Sequence, residues 1–547
     1  MATSARRPDA RVLAALRRLQ IGTVVAGALL CIACPGPRPR PTGAVVELVE
    51  PPAGAQLQEP PASVRVRLRQ PMDEAALAAD WMQLTSANGP VPGTVSIESA
   101  DARDLVWRPS GEWPRNEPIL VRLSPAIRWR DGSLLGTERL WDFVIALPDA
   151  TVLELTPPVS LAAGPSAHDF VTPARTPAGE LAAVWWTLDQ PVRQESAFRS
   201  PSTGLWSPPS VRLGGGVVTA PRTVFAGVED LWLFEPAVQS CVVHQKLGPA
   251  TPLSVALPRP VCQRLDDGAV VVWSASAHRL GLDAASLTWD PVSRSFVPNV
   301  AAAEFGADVE AFFGVLPFDG QRVQQIVRRP PLAGGAARLV AVPMDRFGAN
   351  GAEAELLELS PACEVIPVAN GAAGALLLVD QAGGGRRLRV LPFRSGLGFG
   401  AVVTLFSGLQ DVLAHDVAVA PDGRVLLAVA GYGSVRVAEV GPDGRETPAV
   451  VLPVYGIEVQ ARIEADGGAL LLVGDGGDSL VLGRASGRAW SLPVVLRDTG
   501  LFADQQWVRE VTAAAVEPDR FLLLLDVGEQ VPSGADYLLQ ELVVQLR

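Results

Sequence analysis

The chain has 547 residues, is 48% hydrophobic and 19% charged, and carries 52 glycines, 48 prolines and a formal net charge of −12. Disorder needs low hydrophobicity with high charge, long helices do not tolerate this much proline, and phosphate binding needs a basic face, so a disordered chain, a helical bundle and a nucleic-acid partner are all excluded. The length exceeds what one core organises, which predicts two or more globular parts or one large repeat array.

The first residues read as an address. Arg6, Arg7, Arg11, Arg17 and Arg18 precede an uncharged apolar run over 21–33, which ends at Cys34 and is followed by P-G-P-R-P-R-P. A charged start, a short apolar stretch and a small residue before the cut make a signal peptide over 1–33, and the apolar run is too short for a permanent membrane helix. The motif C-I-A-C resembles a bacterial lipoprotein signal, in which Ala33 precedes the lipidated cysteine, here Cys34, although Cys31 stands where that family usually has leucine. The resemblance implies an exported chain held by lipid in the cell envelope, at the outer membrane or cell surface, because two or three acyl chains on one cysteine give a lasting anchor. An ordinary cleaved signal with an incidental cysteine is the alternative. Residues 34–44 then form a stiff, proline-rich linker.

From 45 to 148, short β-rich runs alternate with turn clusters over the length of one β-sandwich. V-R-V-R-L-R at 64–69 alternates with period two and predicts a strand with one buried face. Val46, Pro71-Met72-Asp73, Leu105-Val106-Trp107-Arg108-Pro109, Asp131-Gly132 and Trp141-Asp142-Phe143-Val144 follow in the order that resembles the bacterial Ig-like modules of surface-layer proteins. That family implies a spacer or adhesion unit without catalytic residues. Asp73 and Asp131 are either turn formers or cation ligands, and the turn reading is preferred because aspartate bonds its own backbone in turns.

Over 151–547 one pattern recurs: an apolar strand, a turn, a strongly apolar second strand, a polar third and a proline-marked fourth. Its clearest copy is H-D-V-A-V-A-P-D-G-R-V-L-L-A-V-A, starting at His415, and it is similar to the inner hairpins of NHL-type propellers. Matching turns near Gly179, Asp230, Gly268, Gly320, Gly371, Gly467 and Asp519 fall at the spacing of four-stranded blades. The expected fold is therefore all-β: an Ig-like β-sandwich followed by a seven- or eight-bladed β-propeller, monomeric, its ring closed by a short first strand and the last run at 537–546. Trp185, Trp186 and Trp273 sit on second strands, where blade-to-blade packing is preferred over stacking on sugars because alanine and valine flank them.

Chemistry is sparse. The histidines are His168, His244, His278 and His415, and only His168-Asp169 and His415-Asp416 look alike, each at the start of an inner strand; lining one channel mouth, they would bind a cation or a polar ligand. Cys241, Cys262 and Cys363 carry no zinc spacing, and Cys241 with Cys262 is a possible disulfide if adjacent blades bring them close enough. G-D-G-G-D at 474–478 lacks the ligand spacing of a calcium loop and reads as a hairpin turn. The one lysine, Lys246, is the sole candidate for Schiff-base chemistry. No nucleophile elbow, P-loop or H-E-x-x-H occurs, so no metal, cofactor or enzymatic activity is expected. The expected role is a binding or scaffolding module for an envelope protein or a glycan. The alternative is a sialidase-like glycan hydrolase using Tyr432, Tyr455 or Tyr537; carboxylates meeting tyrosine and arginine in one channel mouth would favour it, and a channel of valine and small residues would favour binding.

Overall fold

The computed structural model describes residues 45–547 except 87–88, 176–180, 189–191, 201, 214–222, 227–229, 236–239, 246–250, 255–260, 265–269, 279–280, 291–294, 299–302, 306–309, 320–321, 332–334, 346–350, 383, 504 and 532–533; between 212 and 309 strands are described but not their side chains. The signal, Cys34 and the proline linker lie outside the described residues.

Two sheets form the first part. One orders the strands Val46–Glu50, Val64–Leu68, Asp104–Pro109 and Gly93–Ile97; the other orders Ala55–Leu57, Arg139–Ile145, Pro118–Leu123, Met82–Ser86 and Gly89–Pro90. Period-two alternation puts Val64, Val66 and Leu68 inside, facing Val121, Trp141 and Phe143 of the opposite sheet in one core. The Trp107 ring needs a bare backbone beside it: a β-carbon on Gly93 would stand 2.1 Å from the ring. Asp73 accepts from the Ala75 N–H at 3.2 Å and Asp131 from the Ser133 N–H at 2.8 Å, so both carboxylates close their own turns.

Among the described residues, eight antiparallel sheets follow in chain order, spanning 168–213, 223–254, 261–305, 311–359, 364–409, 414–452, 458–495 and 506–546. Each is a meander whose last strand leads on to the first strand of the next sheet; first strands of neighbouring sheets lie side by side, as Ala414–Val419 and Glu458–Ile463 do, and the first strand of the eighth, Gln506–Glu517, lies beside that of the first, His168–Arg175. The chain is therefore a β-propeller with its first strands around the axis. Second strands are mostly apolar because a neighbouring sheet covers each face, although that of the fourth sheet, Arg322–Arg329, buries Gln324 and Gln325. Leu181–Thr187 is wholly buried, and Ala469–Gly474 and Val425–Gly431 are buried but for their last glycine. Trp185 packs between the first and eighth sheets against Leu522 and Leu524, the packing role expected of it.

Closure uses both ends of this region. Leu153–Leu155 and Val159–Gly164 pair with the final strand, Gly534–Leu546, in the registers Leu153 with Leu546 and Gly164 with Tyr537. The final strand is thus the third of its sheet, and the early chain supplies the fourth. Just before it, residues 146–151 and Gln56 dock on the seventh sheet. Thr151 donates its N–H and hydroxyl to the Ala489 carbonyl at 3.0 and 2.8 Å, Gln56 Nε2 donates to the Pro493 carbonyl at 2.7 Å, and Ala146 and Ala150 pack on Leu492.

Candidate functional site

A meander that repeats in one sense places all first-strand beginnings, and all hairpins between second and third strands, on one face, called here the top face. Hairpins between first and second strands, and between third and fourth, fall on the bottom face. The exposed apolar side chains of the top include Phe170, Leu413, Tyr432, Ile457 and Trp507, while Leu205 and Leu397 are exposed on the bottom.

His168 and Asp169 begin the first inner strand and belong to a charged knot at the seam with the eighth sheet. His168 is buried, its Nδ1 2.8 Å from Asp526 Oδ1, and Asp526 is itself inaccessible to solvent. Arg509 reaches Asp526, Asp169 and the His168 carbonyl. The ring seam is thus tied by one guanidinium across two sheets. Next to it the register slips between Asp169 and Thr172, and Phe170 takes a left-handed φ of 53°, a conformation uncommon for a bulky residue. Its N–H donates to Glu510 Oε2 at 3.2 Å. Burial, with Asp169 and Asp526 adding to it and Arg509 and the Phe170 N–H opposing, pushes Glu510 from 4.5 up to about 7.

This shift fixes a sign. Between 4.5 and about 7 the folded chain holds the Glu510 proton more tightly than the unfolded chain does, so stability falls as pH rises through that window and stays lowered above it. Glu510→Gln keeps the acceptor for Phe170 and removes the charge. It is expected to stabilise the fold at pH 8 by on the order of 1–2 kcal/mol after allowance for solvent screening, and to flatten the thermal midpoint against pH across the same window. Identical midpoint-versus-pH curves for the two proteins would refute the assignment.

His415 and Asp416 begin the sixth inner strand. Asp416 accepts N–H bonds from Ala461 and Val417 at 2.8 and 2.9 Å, yet burial holds it above the usual carboxylate range, and burial lowers His415. Arg462, 3.6 Å from Asp416, donates through Nε to the Ala513 carbonyl at 2.7 Å and so links the sixth, seventh and eighth inner strands. The two histidine–aspartate pairs hold different seams, and among the described residues no contact joins them and no three His, Cys, Asp or Glu side chains are grouped to hold a metal.

The inner strands surround a cavity of about 480 Å³ towards the bottom face, walled mainly by valine, alanine and threonine, with Asn370, Arg462 and Glu464 as its other polar groups. No tyrosine lines it. Tyr432 and Tyr455 stack on each other, and Tyr537 meets the edge of Trp507. A smaller cleft of about 240 Å³ opens between the fifth and sixth sheets at Tyr432. Cys363 is buried and free, and burial raises its thiol. Cys241 and Cys262 fall on strands of adjacent sheets, Ser240–Gln245 and Val261–Arg264, and their side chains, with those of Lys246, His244, His278 and Trp273, lie outside the described residues.

Sequence reasoning missed Arg509, Glu510, Asp526, Phe170 and Arg462. Two signals were present. Arg509-Glu510 occupies an inner strand as His168-Asp169 and His415-Asp416 do, and Asp526 ends the apolar run F-L-L-L-L-D as Asp380 ends A-L-L-L-V-D. Asp380 is likewise buried and receives Arg387 at 2.8 Å and Arg389 at 2.7 Å.

No known family profile matches the chain, and no curated sequence matches it. Among solved structures it is similar to virginiamycin B lyase from Staphylococcus aureus, with 9% identity over 72% of this chain and 99% of the lyase and a TM-score of 0.35. The β-propeller domain of the Trilobed protease from Pyrococcus furiosus shares 10% identity over 68% of this chain and 94% of that domain, TM-score 0.33. NanB sialidase from Streptococcus pneumoniae shares 10% identity over 89% of this chain and 93% of the sialidase, TM-score 0.31. At these identities and scores, nothing about activity passes from those proteins to this one.

Proposed function

We propose that the protein is an exported lipoprotein, anchored through Cys34, in which a proline spacer and an Ig-like sandwich carry an eight-bladed propeller that binds a ligand and does not transform it. The observation that carries this reading is the makeup of the axial channel: mostly valine, alanine and threonine, with Asn370, Arg462 and Glu464 as its other polar groups and no tyrosine. The carboxylates at its top mouth are engaged in structure, Asp526 and Asp169 by Arg509 and Asp416 by the backbone of the seventh sheet. A hydrolase reading has one observation in its favour, the near-neutral Glu510 beside Arg509 and two further carboxylates. It lacks the converging tyrosine that a sialidase-like mechanism requires.

The anchor is tested by cell fractionation in the native host. The unaltered protein is expected in the membrane fraction at high salt, and Cys34→Ala is expected to move it to the soluble exported fraction or to leave the precursor uncut. A Cys34→Ala protein that loses its signal and still sediments with membranes would end the lipoprotein reading.

A further inference from the structure

The cleft between the fifth and sixth sheets is built differently from the channel. Its wall is the loop 408–412 on one side and the hairpin 429–436 on the other. The hairpin pairs Gly431 with Ser434 around the two-residue tip Tyr432-Gly433, and Gly433 takes the φ of +83° that such a tip needs. The tip lifts Tyr432 clear of the sheet, leaving it 67% exposed, and Tyr455 from the next connection lies beneath it with ring centroids 6.5 Å apart and planes 28° from parallel. The two rings are near enough for an offset stack. Gly431 brings the hairpin close to the opposing loop, since a β-carbon there would stand 2.8 Å from the Asp411 carbonyl oxygen.

The polar groups around this platform are uncommitted. Gln410, Asp411, Ser434 and Arg436 line the cleft, and among the described residues no hydrogen bond or ion pair engages any of their side chains. Elsewhere in the ring arginines and carboxylates pair within and between sheets, as Arg484 does with Glu439 and Arg424 with Asp422. An exposed aromatic face ringed by an amide, a hydroxyl, a carboxylate and a guanidinium suits a ligand that offers an apolar face and a rim of hydroxyls. A pyranose ring has this form: its axial C–H groups cover the aromatic face while its equatorial hydroxyls both donate and accept. One carboxylate and one guanidinium leave the lining without net charge, which favours a neutral sugar over an acidic one.

We propose that this cleft binds one ring of a neutral hexopyranose oligomer, with Tyr432 as the stacking platform and Asp411 and Arg436 as hydroxyl partners. The proposal rests on the binding-module reading for the expectation that the sugar is held and not cut. It is tested by calorimetric titration of the purified full chain in detergent with cellohexaose, chitohexaose and maltohexaose, followed by chromatography of the recovered sugar. At least one oligomer is expected to bind. Tyr432→Ala is expected to weaken it by about tenfold or more, and Tyr432→Phe, which keeps the ring, to change it by less than about threefold. Because Tyr432 is an exposed hairpin tip, its variants are expected to melt with the unaltered protein, which keeps a null result interpretable. No binding by any of the three, or binding untouched by Tyr432→Ala, overturns the cleft assignment. Recovery of shortened oligomers would overturn the non-enzymatic reading instead.

Discussion

Removing residues 537–547 is expected to leave a protein that does not fold cooperatively and aggregates at micromolar concentration. The deleted stretch contributes Leu539, Leu542, Val543, Val544 and Leu546 to the buried interior, together about 10 kcal/mol of apolar burial and comparable with the whole stability of an ordinary domain. The loss is larger than an end effect. The final strand stands between Arg520–Val531 and the early strands at 153–164, so its removal opens a gap inside a sheet and frees strand edges on both sides. An open stack of repeats would lose only local stability on the same deletion. Circular dichroism melting and size-exclusion chromatography decide between the two, and a monomer with an unchanged melt would show that the ring does not depend on this strand.

Asp526→Ala is expected to cost about 3–5 kcal/mol, because truncating one member of a buried ion pair leaves its partners uncompensated. Here the partners are Arg509, shared between Asp526 and Asp169, and the buried His168. If the cost comes from the stranded guanidinium, adding Arg509→Met to the Asp526→Ala background should recover part of it, and a double-mutant cycle by chemical denaturation measures that coupling. Purely additive losses would mean that the knot is incidental to closure.

The all-β class and the repeat were legible because a second strand covered on both faces is mostly apolar, and V-L-L-A-V-A and A-L-L-L-V repeat that pattern, whereas the buried Gln324 and Gln325 of the fourth sheet do not. The closure was legible too, since a ring needs a strand from each end. The channel mouth was not. Sequence comparison set His168-Asp169 beside His415-Asp416 by their local pattern, whereas their partners come from far along the chain: Asp526 and Arg509 for the first pair, Ala461 and Arg462 for the second. Pairing across a seam joins residues in different sheets, 358 positions apart at the closure and 45 apart at the second pair, and one sequence carries no trace of it. The Tyr432 cleft was hidden for another reason. Its value lies in side chains without partners, and a lack of partners has no signature in a sequence.

Residues 146–151 and Gln56 seat the first two sheets on one rim of the ring. Ala489 and Pro493, which receive Thr151 and Gln56, lie between the third and fourth strands of the seventh sheet and hence at the bottom rim, while Tyr432, Trp507 and Phe170 occupy the top. The ring is therefore carried like a dish on an off-centre stem. The first two sheets thus meet the ring at its bottom rim and leave the aromatic top face clear, so a large polymer can reach the Tyr432 cleft without passing them.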